Sequence, residues 1–69
     1  MSIFSERLVQ LRKSRGVSQI VVAEKVGVSP RVYQGYEYGK NEPGLSRLVH
    51  IADYFDVSLD YLAGRTDTP

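Results

Sequence analysis

The feature that most restricts how this chain can fold is the very short connection between two predicted helices. One helix starts at its cap Ser18 and ends at Gly27, and the next runs from Pro30 to about Tyr38. Only residues 27–29 separate the two helical segments. A connection of this length that contains glycine turns the chain sharply, so the helices cross at a steep angle. Glycine can take a positive φ, which ends the first helix at once.

The rest of the chain predicts three further helices and no strand, which gives an all-α fold of five short helices. Serine and glycine mark most of the helix ends, as expected for N-caps and stop signals. The predicted helices run from about Ser5 to Arg15, from Ser18 to Gly27, from Pro30 to about Tyr38, from about Leu45 to Phe55, and from the cap Ser58 to Gly64. Residues 1–64 are therefore predicted to form one domain, and the polar tail at residues 65–69 is expected to fray.

Composition argues against several classes of function. The 69 residues include 42% hydrophobic side chains and no cysteine, which predicts one small globular domain without disulfides and favours the cytoplasm. No apolar run approaches the ~20 residues that span a membrane, so no membrane partner is expected. His50 has no second metal ligand at suitable spacing, and no serine stands at a plausible spacing from a base. We therefore expect no enzyme activity, no metal site and no cofactor.

Charge is distributed unevenly along the chain. Residues 1–47 hold eight Lys or Arg side chains and four acidic ones, whereas residues 48–69 hold one basic and four acidic side chains. A basic half is the electrostatic footprint expected of a nucleic-acid-binding protein. Charge alone also fits a solvated surface on which basic residues cluster by chance.

Three stretches of the sequence, which together cover nearly the whole chain, carry a family resemblance. They are RLVQLRKSRGVSQ, VAEKVGVSPRVYQGYEYGKNEP and LVHIADYFDVSLDYLAGRTD. In order and spacing the chain resembles the lambda-repressor-like (Cro/repressor, XRE-type) helix-turn-helix DNA-binding domains. This resemblance implies a five-helix domain with the helix-turn-helix in helices 2 and 3. It also implies a sequence-specific regulator of transcription that binds double-stranded DNA as a homodimer on a palindromic operator.

The resemblance also implies roles for individual residues. Gln19 matches the glutamine that contacts a DNA phosphate and braces the recognition helix, which is helix 3. Arg12 and Glu37 match an ion pair between helices 1 and 3. Lys40 and Asn41 lie where the loop after helix 3 meets the DNA backbone. Pro30 and Gly35 occupy positions that carry base-reading side chains in some relatives, so the sequence preference of those relatives does not transfer directly.

A helical wheel divides helix 3 into two faces without reference to any family. Tyr33, Tyr36 and Glu37 point inward. The outward face holds Arg31, Gln34, Gly35 and Tyr38, with Val32 on its flank and the segment Ser29, Pro30 and Arg31 deepest in the groove. Arginine can bind guanine, glutamine can pair with adenine, and valine can contact a thymine methyl group. For Gly35 two interpretations stay open: close approach of the helix backbone to DNA, or a glycine that packing merely tolerates.

Two apolar groups lie outside this interface. Val57, Leu59 and Leu62, in and beside helix 5, are predicted to form a weak two-fold dimer contact. Ile20 and Val21 are expected to pack on Phe4 or helix 1, and the alternative is an exposed patch for a partner such as an antirepressor. The competing functions are a restriction-modification controller, an antitoxin, or a protein-interaction module that keeps the fold without binding DNA.

Overall fold

The computed structural model describes residues 2–69 and confirms the all-α fold with five helices; these residues contain no strand. The helices are α1 (Ile3–Arg15), α2 (Gln19–Val26), α3 (Pro30–Tyr38), α4 (Leu45–Phe55) and α5 (Leu59–Ala63). Among the same residues, no helix has the length and apolar character that crossing a membrane requires. Four of the five helices lie within a residue of the predicted bounds, and α1 begins two residues earlier than predicted.

The early start of α1 follows from which of two serines caps it. The Ser2 side chain accepts a hydrogen bond from the backbone N–H of Ser5 and so takes the N-cap role. Ser5 is instead buried within the helix, and its hydroxyl donates to the backbone carbonyl of Tyr36 at 2.8 Å. This bond fixes α1 against the end of α3. The position of α3 is therefore set by α1 as well as by the short turn after α2.

The connection between α2 and α3 has the tight geometry that the sequence predicts. Gly27 has a φ of 79°, and the backbone N–H of Val28 donates to the carbonyl of Ala23 at 3.0 Å. Ala23 is fully buried, which lets the two helices approach closely. Arg47 of α4 completes the turn, because its Nη1 donates to the carbonyl of Val26 at 2.7 Å. The carbonyl end of α2 is therefore bound by a cation, as the helix dipole favours.

One core holds the five helices together. Its buried hydrophobic residues come from every helix: Leu8, Val22, Ala23, Val26, Tyr33, Tyr36, Ile51, Ala52, Phe55 and Leu62. Leu62 has no exposed surface, so it cannot take part in the dimer contact predicted for it. The short α5 packs against α1 and α4, and the inward face of α5 is occupied by this leucine.

Ile20 and Val21 are both exposed, although they were expected to pack on Phe4 or α1. Ile20 is 61% exposed and Val21 is 38% exposed. Both lie in the first turn of α2, whose inward face is formed by Val22, Ala23 and Val26. The helix therefore directs these two side chains away from the core.

The C-terminal tail, which was expected to fray, is folded back onto the domain. Arg7 of α1 donates hydrogen bonds to the carbonyls of Tyr61 and Thr66 and to the Asp67 carboxylate at 2.9 Å. Its guanidinium also lies 4.1 Å from the centre of the Tyr61 ring. The carbonyl of Pro69 accepts a bond from the backbone N–H of Ser58 at 3.0 Å. One arginine thus connects the first helix to the last residues of the chain.

Candidate nucleic-acid interface

The candidate interface is built around α3, one face of which is anchored in the protein. Tyr33, Tyr36 and Glu37 are all buried, as the helical wheel predicts. The Tyr36 ring makes edge-to-face contacts with Phe4 and with Tyr33, at centroid distances of 6.5 Å and 6.2 Å. These contacts fix both the position of α3 and its rotation about its own axis, so the opposite face is presented in one orientation.

The N-terminal end of α3 is set by its cap. The Ser29 hydroxyl accepts a hydrogen bond from the backbone N–H of Val32 at 3.2 Å, and Pro30 occupies the first turn. Both residues are exposed. Arg31 and Val32, which follow, are also exposed, so the structure leaves this end of the helix accessible to a partner.

The outward face of α3 differs from the prediction at one position. Arg31 and Tyr38 are exposed and Gln34 is partly exposed, as predicted, but Gly35 is buried. The side chain that covers Gly35 belongs to Asn41, in the loop after α3. Because that loop folds back on the helix, the backbone at Gly35 is covered by Asn41 and is not bare.

A shallow groove of about 440 Å³ runs along this face. It is lined by Arg31, Val32, Gln34, Gly35, Tyr38, Lys40 and Asn41. The structure thus brings together seven of the ten residues predicted to contact DNA. Lys40 is exposed and, like Arg31, supplies positive charge to the groove. Ser29 and Pro30 lie at the start of the same helix, and Gln19 lies on α2.

Gln19 belongs to a hydrogen-bonded network with Arg12 and Glu37. Arg12 Nε lies 2.6 Å from Glu37 Oε2, and Arg12 Nη2 lies 3.1 Å from Oε1. Gln19 Nε2 donates to Oε1 at 3.0 Å, and Arg12 Nη1 donates to the carbonyl of Val17. The network therefore connects α1, α2 and α3 behind the outward face, and it includes both the ion pair and the brace that the resemblance implied.

The network determines the protonation state of the buried carboxylate. Burial alone would raise the pKa of Glu37, but the hydrogen bond from Arg12, together with that from Gln19, outweighs burial and lowers the pKa. The hydrogen bond to Glu37 in turn raises the pKa of Arg12. Burial, followed by its polar interaction with the neighbouring Glu37 carboxylate, raises the pKa of Tyr33. Because the pKa of Glu37 is lowered and that of Arg12 is raised, both members of this ion pair are charged at neutral pH.

Three features of the site were not found from the sequence. Asn41 covers Gly35, Ser5 binds the carbonyl of Tyr36, and Arg47 binds the end of α2. Each contact joins residues that are not neighbours on one helix, so periodicity gives no signal for it. The glycine inside α3 was the one local sign that some other group approaches the helix there.

The dimer residues are only partly available on the surface. Leu59 is 36% exposed and Val57 is partly buried, while Leu62 lies in the core. Elsewhere, Leu45 and Val49 on α4 are exposed. Of the three residues predicted for the dimer contact, only Leu59 and the edge of Val57 are therefore available at the surface.

The chain is similar to known helix-turn-helix proteins in sequence and in structure. Residues 8–62 match the Helix-turn-helix family. The chain is 42% identical over 67 residues to the uncharacterized HTH-type transcriptional regulator YobD of Bacillus subtilis (strain 168), covering 97% of this chain and 60% of that protein. It is 40% identical over 63 residues to the cryptic phage CTXphi transcriptional repressor RstR of Vibrio cholerae serotype O1, covering 91% of this chain and 56% of the repressor. The chain thus spans little more than half the length of these relatives.

A solved structure with a similar fold is that of the P22 c2 repressor protein in complex with a synthetic operator. The two structures superimpose with a TM-score of 0.84 and share 27% sequence identity, covering 90% of this chain and 94% of the repressor chain.

Proposed function

This chain belongs to the helix-turn-helix family, and from that premise we propose that it is a sequence-specific regulator of transcription that binds double-stranded DNA. It resembles a phage or mobile-element repressor in this respect. The observation that carries the proposal is the asymmetry of α3. One face is anchored by Tyr33, Tyr36 and Glu37, and the other presents Arg31 along an open groove that Lys40 of the following loop also lines. The activity implies action on DNA in the cytoplasm of a bacterial or phage-infected cell.

In the proposed complex α3 lies in the major groove and Arg31 reads a base pair. Arginine can donate two parallel hydrogen bonds to guanine O6 and N7, and Arg31 lies in the exposed first turn of the helix. Ser29 and Pro30 would lie beside Arg31, deepest in the groove, and Lys40 would approach a phosphate beyond the other end of the helix. Gln19 would contact a phosphate while its amide nitrogen stays bound to Glu37, which ties the DNA backbone to the network behind α3.

A single α3 reads too few base pairs for a specific site, so the proposal includes a homodimer on a palindromic operator. Leu59 and Val57 supply the apolar surface for a weak contact between subunits. The contact lies in the acidic half of the chain, whereas α3 lies in the basic half. Two copies joined near α5 would therefore keep negative charge away from phosphates. Substitution of Leu59 by lysine should abolish cooperative binding to a two-half-site operator while leaving half-site binding intact.

The experiment that tests the function is selection of bound sequences from a random pool of duplex DNA. A palindromic consensus is expected. Titrations with the selected duplex and a scrambled duplex then compare Arg31→Ala with Gln19→Ala. Loss of the Arg31 contact should cost about 1–3 kcal/mol on the selected duplex alone, whereas Gln19→Ala should weaken both duplexes alike. Arg65→Ala is the matched control, because Arg65 is highly exposed and pairs with Asp60 in the acidic half.

A second candidate function is protein interaction without DNA binding. It is favoured by the exposure of Ile20 and Val21 at the start of α2, where two adjacent apolar side chains face solvent. Under this alternative the patch would hold a partner such as an antirepressor. Titration against genomic DNA fragments at low and moderate salt separates the two candidates. A DNA-binding protein binds the fragments with an affinity that falls steeply as salt rises, whereas a protein-interaction module does not bind them.

A further inference from the structure

The side chain of Asn41 occupies the space that a side chain at Gly35 would fill. A Cβ added to Gly35 would lie 1.8 Å from Asn41 Oδ1 and 2.8 Å from Asn41 Cγ. Asn41 is held there by two further contacts, one from its side chain and one from its backbone. Its Nδ2 lies 3.4 Å from the carbonyl of Val32, and the backbone N–H of Asn41 lies 3.4 Å from the carbonyl of Gly35. The loop residue is therefore docked on the helix, and any larger residue at position 35 would displace it.

The docked amide lies on the face that is proposed to meet DNA. It lines the same groove as Arg31, Gln34 and Tyr38, and Asn41 remains exposed to solvent. Without Asn41, Gly35 would leave a gap between the exposed side chains of the first and last turns of α3. Asn41 Oδ1 faces Gly35 and one N–H of Nδ2 faces the carbonyl of Val32, which leaves the second N–H of the amide as a donor for an acceptor at a base edge, such as a purine N7.

We propose that the absence of a side chain at Gly35 makes the space in which the Asn41 side chain docks. We further propose that the docked amide reads a base in place of the side chain that α3 lacks at this position. Asn41 is then a specificity-determining residue, although it lies outside the helix. Gly35 is a positioning residue that acts through it. This inference rests on the proposed function, because it assigns a role within the same interface.

Alanine at position 35 separates this role from a role in folding. Alanine is the better helix former, and the group it would meet is the end of a flexible side chain that can swing into solvent. Gly35→Ala should therefore keep or raise the thermal midpoint of the free protein while displacing Asn41. Gly44→Ala is the matched control, since a Cβ at Gly44 meets nothing within 4 Å and its φ of −68° suits alanine.

The first measurement uses the free protein. Nuclear Overhauser contacts between the Asn41 side-chain amide protons and the Gly35 α-protons are expected in the wild type and in Gly44→Ala. In Gly35→Ala, the contacts from the amide protons to the first turns of α3 should be lost. Absence of these contacts between the amide protons and Gly35 in the wild type would show that Asn41 does not dock on Gly35 and would overturn the proposal.

The second measurement repeats the selection from random duplex DNA with each variant. Asn41→Ala and Gly35→Ala should both lose preference at the same base pair, with about a tenfold smaller ratio of selected to scrambled affinity. The double variant should lose no more than either single variant, because both changes remove one group. Gly44→Ala should select the wild-type sequence.

The outcomes distinguish the inference from the function on which it rests. If wild type selects a sequence and Asn41→Ala keeps preference at every base pair, the inference is wrong and the proposed function stands. A uniform loss on both duplexes would make Asn41 a backbone contact and would likewise overturn the inference. If wild type selects no sequence, both proposals fail.

Discussion

Arg12 and Glu37 form a bidentate ion pair between α1 and α3, with nitrogen–oxygen distances of 2.6 and 3.1 Å. The Glu37 side chain is 2% exposed and that of Arg12 is 15% exposed. A carboxylate this deeply buried is stable only while its cation and its other donors are present. The rotation of α3, and with it the direction in which Arg31 points, therefore depends on a partner from another helix.

Removing one member of this pair should destabilise the protein more than removing both. In Arg12→Met, Gln19 is the one side-chain donor of this network that still binds the buried Glu37 carboxylate. The substitution should therefore lower the free energy of unfolding by about 3 kcal/mol. Adding Glu37→Leu should restore part of the loss. Urea unfolding of the four species measures the coupling. Additive losses would show that the two side chains do not stabilise each other.

The exposed pair Arg65 and Asp60 is the control for that cycle. Their atoms are 3.4 Å apart and their side chains are 77% and 68% exposed. Solvent screens such a pair, so its coupling should stay below about 1 kcal/mol.

Acid should destabilise the wild type through Glu37. The pKa of this carboxyl is lower in the folded protein than its ordinary value of 4.5, so the unfolded chain binds a proton first as the pH falls. The stabilisation is complete above pH 4.5, declines below it, and is lost once the pH passes the folded pKa. Urea unfolding of wild type and Glu37→Gln between pH 7 and pH 3 checks this. The variant should start less stable and lose less on acidification; parallel curves would contradict the assignment.

Two isoleucines should respond very differently to alanine. Ile51 has no exposed surface and Ile20 is 61% exposed. Ile51→Ala should cost about 2–5 kcal/mol because it leaves a cavity in the core, whereas Ile20→Ala should change stability by less than about 0.5 kcal/mol. Both values come from urea unfolding. A large loss in Ile20→Ala would restore the expectation that this side chain packs on α1.

We expect the Tyr33 hydroxyl to contribute little to stability at neutral pH. It is buried without a hydrogen-bond partner among residues 2–69, while its ring packs edge-to-face on Tyr36. Tyr33→Phe keeps the ring and removes the unpaired group, so the free energy of unfolding should stay the same or rise by about 1 kcal/mol. The exposed Tyr38→Phe, measured by the same unfolding experiment, should change nothing. A clear loss in Tyr33→Phe would mean that the hydroxyl has a partner.

The helices were predictable because their ends are encoded locally. Serine caps and glycine stops act within three or four residues and mark the ends of α2, α3 and α5, whereas α4, which has neither, is recognised from the helical spacing of its apolar side chains. The start of α1 was missed because Ser2 and Ser5 can each cap a helix, and the choice depends on the carbonyl of Tyr36, far along the chain. The wheel placed Gly35 on the correct side of α3 but could not show a loop residue returning over it. Likewise the spacing of leucines in α5 did not reveal that Leu62 alone fills the core.

Arg7 binds two tail residues, Thr66 and Asp67, which are separated from it by 59 and 60 positions in the sequence. The other contacts in this fold are mostly short-range. Contacts that close so long a loop form late, after the local helices have met. The energy they supply is then absent from the transition state of folding. We expect Arg7→Ala to leave the refolding rate nearly unchanged and to accelerate unfolding, as stopped-flow measurements can determine. We therefore expect the contacts of Arg7 with the tail to lengthen the lifetime of the folded state without changing how quickly the chain folds.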